Sequence, residues 1–322
     1  MKTATRIVTV TLNPAVDLAC EVPGFAPAQV NRVTSARLDP GGKGVNIARL
    51  LRHFELPVTA TGFLGADNAY IFEKLFRQTG IDDAFIKLPG ETRIGIKILD
   101  PVNHLTTDLN LPGLAPQKSQ LAELFATVEH QLDNAAILVI AGSTPASLSP
   151  EAVGQLVTAG KAKDVKVFVD TSGAALHEAI AAAPSLIKPN AEELSEYVGR
   201  PLTEIADIHA EAARLLATGI ETVVVSLGER GALFVENDDA LLLTPPRITA
   251  VSTVGAGDAM IGTMAAGLVM NMPLAQRARL ATAVSAAVVT QAGPSLPSLA
   301  GAKALEQQVH INHITLDGGK DA

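Results

Sequence analysis

Three short stretches hold residue types that could do chemistry at close quarters. The sharpest is Ser252-Thr253-Val254-Gly255-Ala256-Gly257-Asp258-Ala259-Met260. Its two glycines let the main chain approach a ligand closely. A helical pattern follows at once, which sets free N–H groups and the positive end of a helix dipole at one point. That is an anion site, and Asp258 on the first turn would face the bound charge. The plainer alternative makes Asp258 a helix cap. Met260 stands where G-x-G-x-x-G needs its third glycine, so this is not a dinucleotide fingerprint.

The second stretch is Pro40-Gly41-Gly42-Lys43-Gly44-Val45-Asn46, three glycines and a lysine ahead of a helix. It suits close approach to an anion or a polyol. Gly44 follows Lys43 where a Walker A motif demands Ser or Thr, so it is not a P-loop. An ordinary turn is the competing explanation. The third, Lys188-Pro189-Asn190-Ala191-Glu192-Glu193, follows a short apolar strand. Asn190 with Glu193 three residues on reads as a capping box. The functional alternative places both at the outer shell of a hydrated magnesium ion, which keeps its waters.

Alternating strands and helices must position these stretches. Arg6 to Leu12, Val58 to Phe63, Ala136 to Ala141, Val165 to Val169 and Thr222 to Ser226 are short apolar runs of strand type. Helical spacing marks Val45 to Phe54 and Asn68 to Gln78, and further helices are expected at about 117–132, 149–162, 173–182, 190–198 and 204–218. The order predicts an α/β fold with a mostly parallel central sheet. Ala19 to Leu38 and Arg93 to Leu111 alternate polar and apolar residues, which predicts antiparallel strands in a small inserted sheet. The Ala-rich region Gly257 to Gln291 reads as two packed helices, and His313 to Ala322 as a polar tail.

Composition excludes several classes. The 322 residues carry 25 Lys and Arg against 33 Asp and Glu, a net charge of −8, so a basic nucleic-acid surface is not expected. Two Tyr, nine Phe and no Trp leave little for base stacking. The lone cysteine, Cys20, makes no internal disulfide and fits a reducing compartment. No run of about 18 apolar residues predicts a membrane span, and the N-terminus lacks the apolar run of a signal peptide. A cytoplasmic enzyme is the expectation.

Together the stretches resemble the ribokinase-like (PfkB) carbohydrate kinases. The resemblance rests on Thr11-Leu12-Asn13-Pro14-Ala15-Val16-Asp17, the Gly41–Asn46 loop, Asn190 with Glu193, and Gly255–Asp258, in family order. LNPAVD, GGKGVN and TRI are most similar to the branch that phosphorylates sugar phosphates. The resemblance implies a three-layer α/β fold: one kinase domain over 1–312, a β lid from about 15–38 and 91–111, and a tail over 313–322. It implies ATP-dependent transfer to the free primary hydroxyl of a ketohexose phosphate. Fructose 1-phosphate is foremost; fructose 6-phosphate and tagatose 6-phosphate are the alternatives.

The same resemblance implies roles for single residues. Asp258 would be the general base, with the N–H groups of Gly255, Ala256 and Gly257 as the anion hole. Asp17, Gly42 and Asn46 would hold sugar hydroxyls. Lys43, Arg32 and Arg93 would meet the phosphate that the substrate already carries, and Ser143 would touch substrate. Lys188, Ser226, Gly228 and Gly231 would face the nucleotide, and Asn190 and Glu193 would organise Mg2+ through water. A homodimer through the lid is implied as well. Three cations gathered in an acidic chain favour a phosphorylated sugar, because a neutral one would leave them unpaired. The rivals are a kinase of this fold for a neutral sugar or nucleoside, a non-catalytic binding protein on the same scaffold, and a nicotinamide-dependent dehydrogenase.

Overall fold

Near-continuous apolar strands can be buried on both faces, and here they are. In the computed structural model, which describes residues 5–291, 296 and 298–314, Arg6–Thr11 lies between Val58–Gly65 and Ala135–Ala141, parallel to both. Lys166–Asp170, Leu186–Ile187 and Thr222–Ser226 extend the parallel sheet. Ala232–Glu236, Asp239–Thr244 and His310–His313 add an antiparallel edge, and the short strands Asp82–Asp83 and Ile86–Leu88 flank Val58–Gly65 at the other end.

Successive strand residues feed two separate cores, as the two-residue period of a strand requires. Ile7, Ile137 and Val139 pack with the helices Lys43–His53, Tyr70–Thr79, Ala256–Val269 and Leu274–Val289. Val8, Leu138 and Ile140 pack on the other face with Lys118–Leu132, Glu151–Ala162, Gly173–Ala181, Ala191–Val198 and Ile205–Leu216. The result is the expected three-layer α/β arrangement.

Several expectations are corrected. The first helix begins at Lys43, two residues before the apolar spacing starts, because Gly42 takes the N-cap. The strand Lys166–Asp170 runs to Asp170, one residue past the apolar run. His313 is no part of a tail: it closes the strand His310–His313, and the Ile314 N–H donates to the Ala240 carbonyl at 2.8 Å. The rest of the expected tail, 315–322, lies outside the described residues.

The inserted sheet has four strands in the order Ser35–Gly41, Ala15–Glu21, Ile94–Asp100, Leu105–Asn110. It is mixed and not wholly antiparallel. Each insertion folds back on itself, but the two meet along a parallel seam, Ala15–Glu21 with Ile94–Asp100. The intervening segment 22–34 is irregular. Register sorts the side chains by face. Leu18, Leu38, Ile96 and Leu109 share one, and Asp17, Asp39, Lys97 and Asp108 share the other.

Helix Ala256–Val269 lies against helix Lys43–His53 through Gly262. A Cβ there would sit 3.0 Å from Leu50 Cδ2 and 3.4 Å from Ile47 Cγ2. Replacing Gly262 with Val should therefore force the helices apart. We expect a loss of about 1–3 kcal/mol, read as a lower urea midpoint at unchanged slope.

Candidate active site

The strands of an open parallel sheet end where ligands are usually held, and the candidate residues gather at that edge. Helix Ala256–Val269 starts from Gly255, whose φ of 85° lies in the left-handed region only glycine enters freely. Gly255, the N-cap position, makes no side-chain cap bond. Asp258 does not cap the helix either: it sits in the first turn, 7% exposed, and Oδ2 accepts from Asn46 Nδ2 at 2.8 Å. The Ala256 N–H makes a long 3.4 Å bond to the Thr253 carbonyl. The Gly257 and Asp258 N–H groups carry no backbone bond among the described residues.

Lys43, the first residue of its helix, donates to Asp170 Oδ1 at 3.0 Å, and Lys188 Nζ lies 3.4 Å from Asp170 Oδ2. Asp170 is wholly buried in its side chain. It was not among the residues singled out from the sequence, although a carboxylate ending a buried parallel strand is the signal that could have found it. Burial would raise its pKa, but Lys188 and Lys43 outweigh that and hold it below the usual carboxylate value. Burial pushes the Asp258 carboxyl up to about 6; Asp170 adds to the rise, while Asn46, Lys43 and Lys188 oppose it.

The polar face of the inserted sheet covers this end. Asp17, Asp39 and Lys97 from the sheet, Asn46 and Arg49 from the first helix, and Ser252, Gly255 and Asp258 line one cavity. Lys97 Nζ stands 4.0 Å from Asp17 Oδ1 and 3.5 Å from Asp108. Burial raises the Asp17 pKa against the pull of Lys97 and Arg93. Arg93 reaches the Asn13 carbonyl and Asn110 only through long 3.4 Å bonds, and its buried Nε has no partner among the described residues. Asn13 in turn donates to Ser143 Oγ at 3.1 Å, which brings Ser143 to the same side.

Other candidates stand apart or carry structural roles. Arg32 is exposed on the irregular segment 22–34, with no side-chain hydrogen bond or ion pair to a described residue. Asn190 and Glu193 form the expected capping box: Glu193 N–H donates to Asn190 Oδ1 at 2.7 Å, and Asn190 N–H to Glu193 Oε2 at 2.8 Å. Ser226 bridges to Asn190 at the end of its strand, and Gly228 opens a single turn of 3-10 helix with open space beside it. Gly231 differs, because a Cβ there would lie 1.8 Å from the Leu243 carbonyl oxygen. Close packing on the neighbouring strand explains that glycine without any ligand.

The chain belongs to the pfkB family of carbohydrate kinases, whose family model matches residues 5–300. It is 42% identical over 307 residues to a 1-phosphofructokinase of Rhodobacter capsulatus, covering 95% of this chain and 97% of the relative. It is 37% identical over 307 residues to a 1-phosphofructokinase of Vibrio cholerae, covering 95% and 96%. Among solved structures, phosphofructokinase-2 from Escherichia coli in complex with substrates and products superposes with a TM-score of 0.88 at 32% identity, covering 94% of this chain and 99% of that one.

The raised Asp258 pKa has a consequence for stability. A carboxyl near pH 4 when unfolded and about 6 when folded binds its proton more tightly in the native state. Its ionised form therefore costs stability above pH 6, up to about 3 kcal/mol, and nothing below about pH 4. Asp258→Asn should match the parent at about pH 4, gain on it as pH rises through that window, and hold the gain above it. Urea denaturation at stepped pH measures the difference.

Proposed function

We propose that this chain transfers the terminal phosphoryl group of ATP to the free primary hydroxyl of fructose 1-phosphate, giving fructose 1,6-bisphosphate. The reading is carried by one observation: Asp258, held by Asn46, stands on the same helix turn as the unpartnered N–H groups behind Gly255. The names of the full-length relatives supply the substrate.

Phosphoryl transfer passes through a loose transition state with charge on the equatorial oxygens, so catalysis is mostly positioning and electrostatics. Asp258 would take the proton of the attacking hydroxyl. Main-chain N–H groups of the Gly255–Gly257 turn would meet the developing charge without reorganising. Asp17 and Asn46 suit sugar hydroxyls beside Gly42, with Ser143 held nearby by Asn13. Arg93, whose Nε is unpartnered, suits the phosphate already on the substrate, together with Lys43. Arg32, exposed beside the lid, would add a third charge there. A neutral sugar would leave the Arg93 guanidinium unanswered, which disfavours that rival. Lys188, Ser226 and Gly228 suit the nucleotide.

Among the described residues no group of three or more His, Cys, Asp and Glu could cage a metal ion. Asn190 and Glu193 each commit one oxygen to the capping box, which leaves the other Glu193 oxygen for a metal-bound water. That donor set fits hydrated magnesium, which binds mainly through substrate phosphates. When bound, the ion would neutralise charge on the nucleotide phosphates.

The apolar face of the lid exposes Leu38 at 53%, Leu105 at 63% and Leu109 at 48%. We infer that a second copy of the chain covers it, giving a homodimer. Among the described residues no helix is long and apolar enough to cross a membrane, and the free Cys20 is buried; both fit the cytoplasmic reading.

Asp258→Asn should lower kcat by about 10²–10⁴-fold while nucleotide binding persists. Unchanged turnover would remove Asp258 from the base role. A coupled assay should rank fructose 1-phosphate above fructose 6-phosphate and tagatose 6-phosphate by kcat/KM, and all three above fructose, ribose and adenosine. Preference for the neutral compounds would overturn the reading. Leu38→Glu with Leu109→Glu should convert a dimer to monomer in sedimentation velocity.

A further inference from the structure

Asp170 is the one buried carboxylate at the site to which no part of the reaction has been given. Its two oxygens face two different lysines. Lys43 Nζ donates to Oδ1 at 3.0 Å from a side chain that is 40% exposed, while Lys188 Nζ, on a side chain only 5% exposed, lies 3.4 Å from Oδ2. Two ammonium groups share this one carboxylate, with Asp258 beside them. A buried triad of this kind is a weak device for stability, because desolvation offsets the attraction. Its positions are more informative. A Cβ at Gly257 would lie 3.1 Å from Lys188 Nζ and 3.9 Å from Asp170 Oδ2, so this ammonium stands directly behind the anion turn. Lys43 opens the other glycine loop, on the side of Asn46 and the lid.

We propose that Asp170 is a positioning residue for phosphoryl transfer, holding Lys43 toward the acceptor and Lys188 toward the anion turn as two fixed cations. A lysine carries its charge on a flexible four-carbon stem. Lys43, partly exposed, would turn to solvent without an anchor. The carboxylate fixes both ammonium groups before the phosphates arrive, so little reorganisation is left for the reaction itself. The proposal rests on the reading of Asp258 and the Gly255–Gly257 turn as the transfer site.

The test uses Asp170→Asn, Lys43→Met and the double variant, with kcat/KM followed from about pH 4.5 to 9. The charged groups facing Asp258 are Asp170, Lys43 and Lys188, with Asn46 as its hydrogen-bond donor. Asp170→Asn should lower kcat by about 10²-fold and leave the acid limb close to that of the parent, since the anion beside Asp258 and the Lys43 ammonium it anchors are lost together. Lys43→Met should move the limb to higher pH, and the double variant should return it toward the parent. The losses in kcat/KM should be less than additive, because Asp170 acts through Lys43. Additive losses, or an Asp170→Asn limb moved well below that of the double variant, would overturn the proposal. So would a raised magnesium requirement in Asp170→Asn that Lys43→Met does not share, which would make Asp170 a metal-site residue. Should Asp170→Asn fail to fold, an unmoved limb in Lys43→Met would count against the proposal by itself. A parent enzyme with no acid limb would instead refute Asp258 as the base, and the additivity of the two losses would still decide the role of Asp170.

Discussion

One hydrogen bond, from Asn46 to Asp258, ties together residues 212 positions apart and sets what the site can be. It joins the helix that opens the first glycine loop to the helix that opens the second. Each loop alone is a place where a main chain can approach an anion. Joined, they put a carboxylate, an amide and two helix N-termini at one end of the sheet. The small Gly262 contact one turn further along permits that approach. The geometry of the site therefore depends on helix packing as much as on the residues displayed.

The inserted sheet completes the enclosure by having two unlike faces. Register forces Asp17, Asp39 and Lys97 to one side and Leu18, Leu38, Ile96 and Leu109 to the other. The polar side lines the cavity with Asp258. The apolar side is left toward solvent in a single chain, more than a lone soluble domain needs to expose. On the proposed reading, enclosure of the site and the covering of the apolar face by a second copy would both follow from the same alternation of residues.

Much of this was legible in the sequence, and the exceptions share physical causes. Buried parallel strands announce themselves as apolar runs, so Ala135–Ala141 and Thr222–Ser226 were found within a residue. The glycine loops and the Asn190–Glu193 capping box are local, and they were found too. The hairpin of Ala232–Glu236 and Asp239–Thr244 was not, although its apolar runs are local, and the closing strand His310–His313 was not, because it is short and its partner Asp239–Thr244 lies far back in sequence. The parallel seam of the lid was misjudged for the same reason: alternation marks strands but not which strands meet. Asp170 was missed because a single carboxylate after an apolar run has no local signature. Only the fold shows that two lysines, 127 residues before it and 18 after it, converge on its oxygens.

On the proposed reading, that convergence bears on how a buried aspartate could serve as a base. Desolvation favours the neutral form of Asp258, and Asp170 nearby pushes the same way. Lys43, Lys188 and the Asn46 amide pull in the other direction, and the balance leaves the carboxyl near 6. At neutral pH it is then mostly ionised, yet more basic than a solvent-exposed aspartate. A base is most effective when its pKa lies close to the working pH. In the proposed reaction the two lysines would act twice, as partners for phosphate and, with Asn46, as groups that favour the ionised form of Asp258. Without them the Asp258 pKa would rise further, and the proposed base would be less ionised at neutral pH.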